Sequence, residues 1–329
     1  MRIGRKTHEK ENEDTGMEKK SILARPPVVA ALAVVCNMLW GSAIPFINMG
    51  YRLFEIPSGD TATQILFAGC RFFLAGVLTI LFASLPARRL IAPKRENLHM
   101  VVKLGMLQTV MQYVFFYIGV AHTSSAKGAI IQGCNAFVSI LIACYFFRSE
   151  KMNTLKWIGG LLGLAGIVVV NLDGTGMDMS FSLLGEGFLL VTMIACACST
   201  GAIKYFSQYE DPVALSGWQF MFGGAVMAAV GFLFGGRLRP TGIGAAAVLL
   251  YLAALSAVAY TVWSVLLKHN PVSRIAPFMS LQPIFGVLLS LLLNLSAQVP
   301  LLRYGCALAL VCASILVIGK GQQTKEKTE

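Results

Sequence analysis

Between Pro26 and Tyr51 the chain carries no charged side chain at all. That length is what a bilayer demands, because its hydrocarbon core takes roughly 20 apolar residues per helix. Counting that run, ten apolar segments cover 28–50, 62–84, 101–121, 125–147, 154–172, 181–203, 213–236, 245–267, 273–294 and 300–319, with Arg71 in the second and Lys103, Lys127, Lys156, Glu186, Arg274 and Arg303 as the only other intruding charges, near ends. Such runs cross as helices, since lipid offers no partner to loose backbone groups. The alternating polarity of a membrane β-barrel is absent. Apolar residues make up 56% of the 329 and charged residues 13%, against ~25% charged in soluble proteins. An ordinary soluble enzyme is excluded. The expected fold class is an all-α membrane protein with ten transmembrane helices.

The net charge of +11 is distributed by side. With the N-terminus placed inside, 21 of the 27 Lys and Arg fall on the cytoplasmic face and five on the outer one, and Arg71 lies within a span. Positive charge stays inside, so both termini are expected in the cytoplasm of a cell whose inner or plasma membrane holds the chain. Arg237 and Arg239 form the one loop against the trend. A basic chain also raises nucleic acid as a partner, but no basic stripe is interleaved with aromatics as such binding requires. Residues 1–27 read as a polar, disordered tail, with Met17 an alternative start. The run after them is too long for a secretory signal and shows no cleavage site.

Sliding the chain by 148 brings Gly69-Cys-Arg-Phe-Phe-Leu-Ala-Gly76 onto Gly217-Trp-Gln-Phe-Met-Phe-Gly-Gly224. A slide of 147 brings Tyr113 onto Tyr260, Phe116 onto Trp263, Lys127 onto Arg274 and Ala129 onto Ala276. Each unit holds five helices. An odd number means that the second copy enters the membrane upside down, the inverted repeat of secondary transporters. The expected organisation is a first repeat over 28–172, a second over 181–319 and a cytoplasmic tail over 320–329.

The same residues resemble the EamA-like branch of the drug/metabolite transporter superfamily across about 28–320. The likeness rests on Trp40-Gly41-Ser42, on Arg71 to Gly76 and on Ala121-His-Thr-Ser-Ser-Ala-Lys-Gly-Ala129. It continues through Glu150-Lys151 and Gly159 to Gly166, and in the second half through Val272-Ser273-Arg274-Ile-Ala-Pro277 to Pro283. It implies a metabolite or drug transporter and says almost nothing about substrate. Two departures stand out. No proline lies near Asn135 to Phe137. Asn294 to Gln298 also stands where the family usually has an acid like Glu150, so any two gates tuned by such acids are not equivalent here.

The chain lacks a Gly-x-x-x-x-Gly-Lys-[Ser/Thr] phosphate loop and a His-Glu-x-x-His metal motif. Its eight cysteines lie inside apolar runs and read as packing thiols. No enzyme, cofactor or metal is expected. Of the acids only Glu186 enters a span, near its outer end, where it reads foremost as a solvated helix-end acid. Proton and sodium relays usually employ an intramembrane acid, so H+ or Na+ as coupling ion stays open, as does the choice between monomer and homodimer.

The candidate site comes from polar and aromatic residues inside the apolar helices. Arg71 lies deep in the second run. It reads either as an anchor for an anionic or carbonyl group or as a cap on the carbonyls of a broken helix. Asn37, Gln108, Gln112, Gln132, Gln219 and Gln282 would cost free energy in lipid, so their faces turn inward. Gln108 and Gln112 are spaced to share one helix face, with Tyr113 beside it. Trp40, Tyr260 and Trp263 lie away from the interfacial belts and suit stacking on a substrate as well as core packing. Gly41 with Pro45, and Pro277 with Pro283, are expected to interrupt the first and ninth helices as gates. Gly159, Gly163 and Gly166 on the fifth helix, and Gly305, Ala309 and Ala313 on the tenth, give small-residue faces that let helices pack closely and read as scaffold contacts.

Together these features point to a secondary transporter of a small organic molecule, working as an exporter by alternating access. The alternatives are an uptake permease of the same fold or a membrane sensor without transport. Reporter fusions at Gly176 and Lys320 are expected to fall on opposite membrane faces. Fusions on one face would overturn the count of ten crossings.

Overall fold

The computed structural model describes residues 22–123, 125–171, 181–292 and 301–326. The tail over 1–21 and the segment Asn294 to Gln298 therefore lie outside the described residues. The described chain is helical throughout, with no strand. In order it forms α1 (Pro26–Leu53), α2 (Thr61–Ala87), α3 (Leu98–Gly105), α4 (Gln112–Ala121), α5 (Ser125–Gly133), α6 (Asn135–Leu141) and α7 (Thr154–Asn171). The second half holds α8 (Phe188–Phe206), α9 (Pro212–Leu233), α10 (Ile243–His269), α11 (Val272–Ile275), α12 (Gln282–Leu292) and α13 (Leu301–Glu326). Wider π turns over Met106–Met111, Ile142–Phe146 and Leu183–Gly187 and a 3-10 stretch over Ala276–Leu281 join some of these. Among the described residues, six stretches are long and apolar enough to cross a membrane: Pro26–Leu53, Thr61–Ala87, Arg95–Ala121, Leu183–Phe206, Pro212–Leu233 and Ile243–His269. Ile130–Phe146, Thr154–Val169 and Gly305–Lys320 are apolar but shorter.

Helix starts follow local chemistry. Asp60 caps α2 by accepting from the Thr63 backbone N–H at 3.0 Å and from its hydroxyl at 2.6 Å. Those bonds stabilise the charged form and hold the Asp60 carboxyl below the usual range. Asp211 caps α9 in the same way, with Pro212 at the first helical position. Ser182 caps the Leu183–Gly187 turn, and Glu186 reaches back to the Ser182 N–H at 2.7 Å. This is a capping box one residue longer than usual, because the first turn is a π turn.

The most extensively packed pair is α2 with α9. A Cβ on Gly69 would lie 2.3 Å from the Ala228 N, and one on Gly224 would lie 2.3 Å from the Phe73 N. A Cβ on Gly76 would come within 2.5 Å of the Gly217 O. Backbone therefore touches backbone. This is how helices associate where surrounding lipid removes any hydrophobic drive.

Three sequence expectations change. First, α1 runs unbroken through Gly41 and Pro45. Pro45 removes one donor, but the bonds of the flanking turns hold the helix. Gly41 serves contact instead: a Cβ there would lie 2.8 Å from both the Gln282 O and the Gly286 N. Only the ninth run is irregular, with Pro277 in the 3-10 stretch and Pro283 inside the first turn of α12. Second, Gly159, Gly163 and Gly166 do pack on α13, but against Ala307, Val311, Ser314 and Ile318. Gly305 and Ala309 are exposed on the opposite side. Small residues spaced by four mark a face without saying which face turns inward. Third, part of the expected disordered tail is tied down: Asn270 donates to the Leu23 carbonyl at 2.9 Å and Arg274 to that of Ala24 at 3.2 Å.

Gly224→Ala would push a methyl group into the Phe73 backbone. A loss of about 1–3 kcal/mol is expected, read as a lower unfolding midpoint of the detergent-purified protein. Gly305→Ala meets nothing within 4 Å and should leave the midpoint unchanged.

Candidate functional site

The faces of α2, α4, α9 and α10 next to the glycine crossing carry a connected aromatic cluster. Phe72 stacks on Phe220 with centroids 5.3 Å apart and planes at 13°. Phe72 also lies 4.5 Å from Tyr113, and Phe220 lies 4.9 Å from Tyr260. The Tyr113 and Tyr260 hydroxyls meet at 2.6 Å. From α1, Trp40 sets its edge against Tyr260 and Trp263, each at 5.0 Å. In this conformation the rings fill the centre.

Arg71 is 3% exposed and belongs to this cluster. Its guanidinium carbon lies 4.3 Å from the Phe72 ring centre and 5.8 Å from that of Tyr113. Among the described residues it makes no hydrogen bond and no ion pair, and its buried Nε has no partner. It caps no helix carbonyl. The rings supply cation–π attraction, worth ~2 kcal/mol when desolvated, well short of the cost of a buried charge without a counter-ion. Tyr51 lies beside Tyr117 and sets its ring edge-on against Phe67. The buried Trp40 Nε1 and Asn37 Oδ1 are also without partners, although Asn37 donates to the Ala33 carbonyl at 2.7 Å.

Gln219 sits beside the cluster at 0% exposure. Its carbonyl accepts from the Thr109 hydroxyl at 2.8 Å, and its amide donates to Gln108 at 3.1 Å. The Met106–Met111 π turn explains a register change here. Its bonds run to the fifth residue rather than the fourth, so Tyr113 follows Gln108 and Gln112 leaves that face. No hydrogen bond or ring contact among the described residues joins Gln112, Gln132 or Gln282 to the cluster. Gln112 Oε1 and Gln132 Nε2 are buried without partners. Gln282 contributes its backbone, packed on Gly41.

Polar clusters close both ends of the bundle. At the end holding the start of α1, Glu150 pairs with Lys156 at 2.8 Å and accepts from the Ser273 N–H at 3.1 Å and from the Ser273 hydroxyl. Lys204 donates to the carbonyls of Lys268 and Asn270 beside it. At the opposite end Glu186 accepts from the Thr123 hydroxyl at 2.5 Å and pairs with Lys127 at 3.3 Å. Glu186 is 7% exposed. It is an interlocked acid and not the solvated one expected, because the capping turn folds its side chain back onto the start of α5. Sequence reasoning also missed Phe72, Phe220, Tyr51 and Thr109. Phe72 and Phe220 are matched by the 148-residue slide and could have been found there.

Long apolar helices closed around a buried cation and rings define a multi-pass membrane protein. The sequence profile of the EamA-like transporter family matches residues 28–172 and 183–319. The chain belongs to that family and is a membrane transporter of the drug/metabolite type. It is 25% identical over 318 residues to an uncharacterized transporter of Synechocystis, covering 87% of this chain and 88% of that one. It is 25% identical over 264 residues to a WAT1-related chloroplastic protein of Arabidopsis thaliana, covering 77% of this chain and 63% of that relative's length. The uncharacterized inner membrane transporter YedA of Escherichia coli K12 is 26% identical over 206 residues, 62% of this chain and 60% of YedA. A solved crystal structure superposes with a TM-score of 0.69 at 16% identity over 88% of this chain and 98% of its own, showing a common fold.

Gln219→Leu would strip the Thr109 hydroxyl and the Gln108 carbonyl of their partners at once. Each buried orphan costs about 1–3 kcal/mol, so a marked drop in unfolding midpoint is expected. Adding Thr109→Val and Gln108→Leu should recover much of it, which a triple-variant melting curve would read.

Proposed function

We propose that the chain is a secondary transporter that exports a small organic molecule across the inner or plasma membrane by alternating access. Ten helices would cross in two inverted repeats, 28–172 and 181–319, with both termini in the cytoplasm. The observation that carries this reading is the set of contacts between residues matched by the sequence slide. Tyr113 and Tyr260 are 147 apart and touch. Phe72 and Phe220 are 148 apart and stack. Gly69 approaches Gly224, while their counterparts Gly217 and Gly76 approach each other. Matched residues touch each other only near a twofold axis, and a contact and its mirror occur in pairs only across one. The two separate family matches agree with that division.

On this reading the centre is the substrate site, with Arg71, Trp40, Tyr113, Tyr260 and Trp263 as its core and Gln108 and Gln219 as its polar wall. An oxyanion or carbonyl group of the substrate would face Arg71, since a guanidinium fork matches such groups. Glu150 with Ser273 and Glu186 with Lys127 and Thr123 would be the latches at the inner and outer ends. A substrate touching both halves favours one arrangement over the other, which is the condition for driving the exchange.

Flux into and out of proteoliposomes tests this with a panel of organic anions and neutral metabolites, with and without pH or sodium gradients. Saturable flux of one class is expected, and a gradient that accelerates it names the coupling ion. No flux of any member would overturn the reading in favour of a sensor, and inward-only flux would make the chain a permease. Arg71→Lys keeps the charge and loses the fork. It should raise KM by about tenfold, or ~1.4 kcal/mol, with the unfolding midpoint held. A lowered midpoint with an unchanged KM would make Arg71 structural.

A further inference from the structure

At the bundle end that holds the start of α1 lies a groove of about 340 Å³, lined by residues other than those of the central aromatic cluster. Its origin is local. Both α1 and α13 pack on the 3-10 stretch Ala276–Leu281, and the groove is the space left between them. Val29 at 1%, Phe278 at 7% and Ile318 at 1% exposure make an apolar floor. Leu316, 66% exposed, opens one side to the surroundings of the bundle. Arg274 and Lys320 stand among the lining residues, and among the described residues no carboxylate does. Arg274 donates to the Ala24 carbonyl at 3.2 Å and to Asn270 at 3.3 Å. Both partners are neutral, and among the described residues no acid pairs with Arg274.

We propose that this groove holds an anionic phospholipid, its phosphate between Arg274 and Lys320 and an acyl chain along Val29, Phe278 and Ile318. The volume lies in the range of small-ligand sites. A phosphate would supply the negative charge that neutral carbonyls do not, through charge-assisted bonds to the guanidinium. Basic pockets between membrane helices at an interface select such headgroups, and the apolar floor distinguishes a lipid from a free phosphate. The bound lipid would touch α1 from the first half of the chain and Arg274 and Phe278 from the second, next to the Glu150–Ser273 contact. This inference rests on the chain being a membrane protein and not on alternating access, so a failure of the flux experiment leaves it standing.

The test uses the full chain reconstituted into phosphatidylcholine alone or mixed equally with phosphatidylglycerol. Native mass spectrometry reads retained lipid, and thermal unfolding reads its effect. One phosphatidylglycerol per chain should be retained, with a higher midpoint than in phosphatidylcholine. Lys320→Gln leaves the Arg274 contacts in place, and Ala30→Phe fills the groove. Each should cut retention several-fold while keeping the midpoint in pure phosphatidylcholine. Equal retention of both lipids, or full retention by both variants, would overturn the site. So would a midpoint shift given by soluble glycerol phosphate alone, which would make the groove a phosphate site without a lipid.

Discussion

Everything at the centre of this protein depends on how closely α2 and α9 approach. Glycines at 69, 76, 217 and 224 let the two backbones touch. Between helices in lipid, close van der Waals contact replaces the hydrophobic effect as the source of association. A side chain at any of these positions would hold the helices apart and open the Phe72–Phe220 stack. It would also separate Tyr113 from Tyr260, because α3–α4 and α10 take their positions from this pair. The crossing also fixes what projects beside it. Arg71 and Phe72 flank the seam on one helix, and Gln219 and Phe220 flank it on the other.

Polar groups in the bundle are handled in two different ways. At the ends they are saturated: Glu150 has a cation, a hydroxyl and an N–H, and Glu186 has the same three kinds of partner. At the centre Arg71 Nε, Trp40 Nε1 and Asn37 Oδ1 are buried without partners among the described residues. Leaving such atoms unmet costs free energy that a merely structural core would avoid. On the proposed reading, these unmet groups are the ones a substrate would satisfy.

The two acids also bear on the asymmetry between the halves. Glu150 bridges the halves from the loop between α6 and α7. Its counterpart in the second half is absent, since Asn294 to Gln298 carries no acid. Glu186, on a different element, supplies the carboxylate at the opposite end. The two ends thus reach the same chemistry by different connections.

The sequence by itself determined the class. Charge-free runs of bilayer length admit only helices in lipid, and the offsets of 147 and 148 paired Tyr113 with Tyr260 and Phe72 with Phe220. Those facts are legible because hydropathy and repetition are properties of linear order. Tertiary structure alone decided which way each face turns. It placed Gly305 outward and Ala307 inward, and it moved Gln112 off the face of Gln108 through one π turn. It kept α1 whole across Pro45 and folded Glu186 into a buried cluster with Thr123 and Lys127. The physical reason is that in lipid most apolar faces are interchangeable. Orientation is settled by which partners let backbones approach and polar atoms pair, and most of those partners are distant in the sequence.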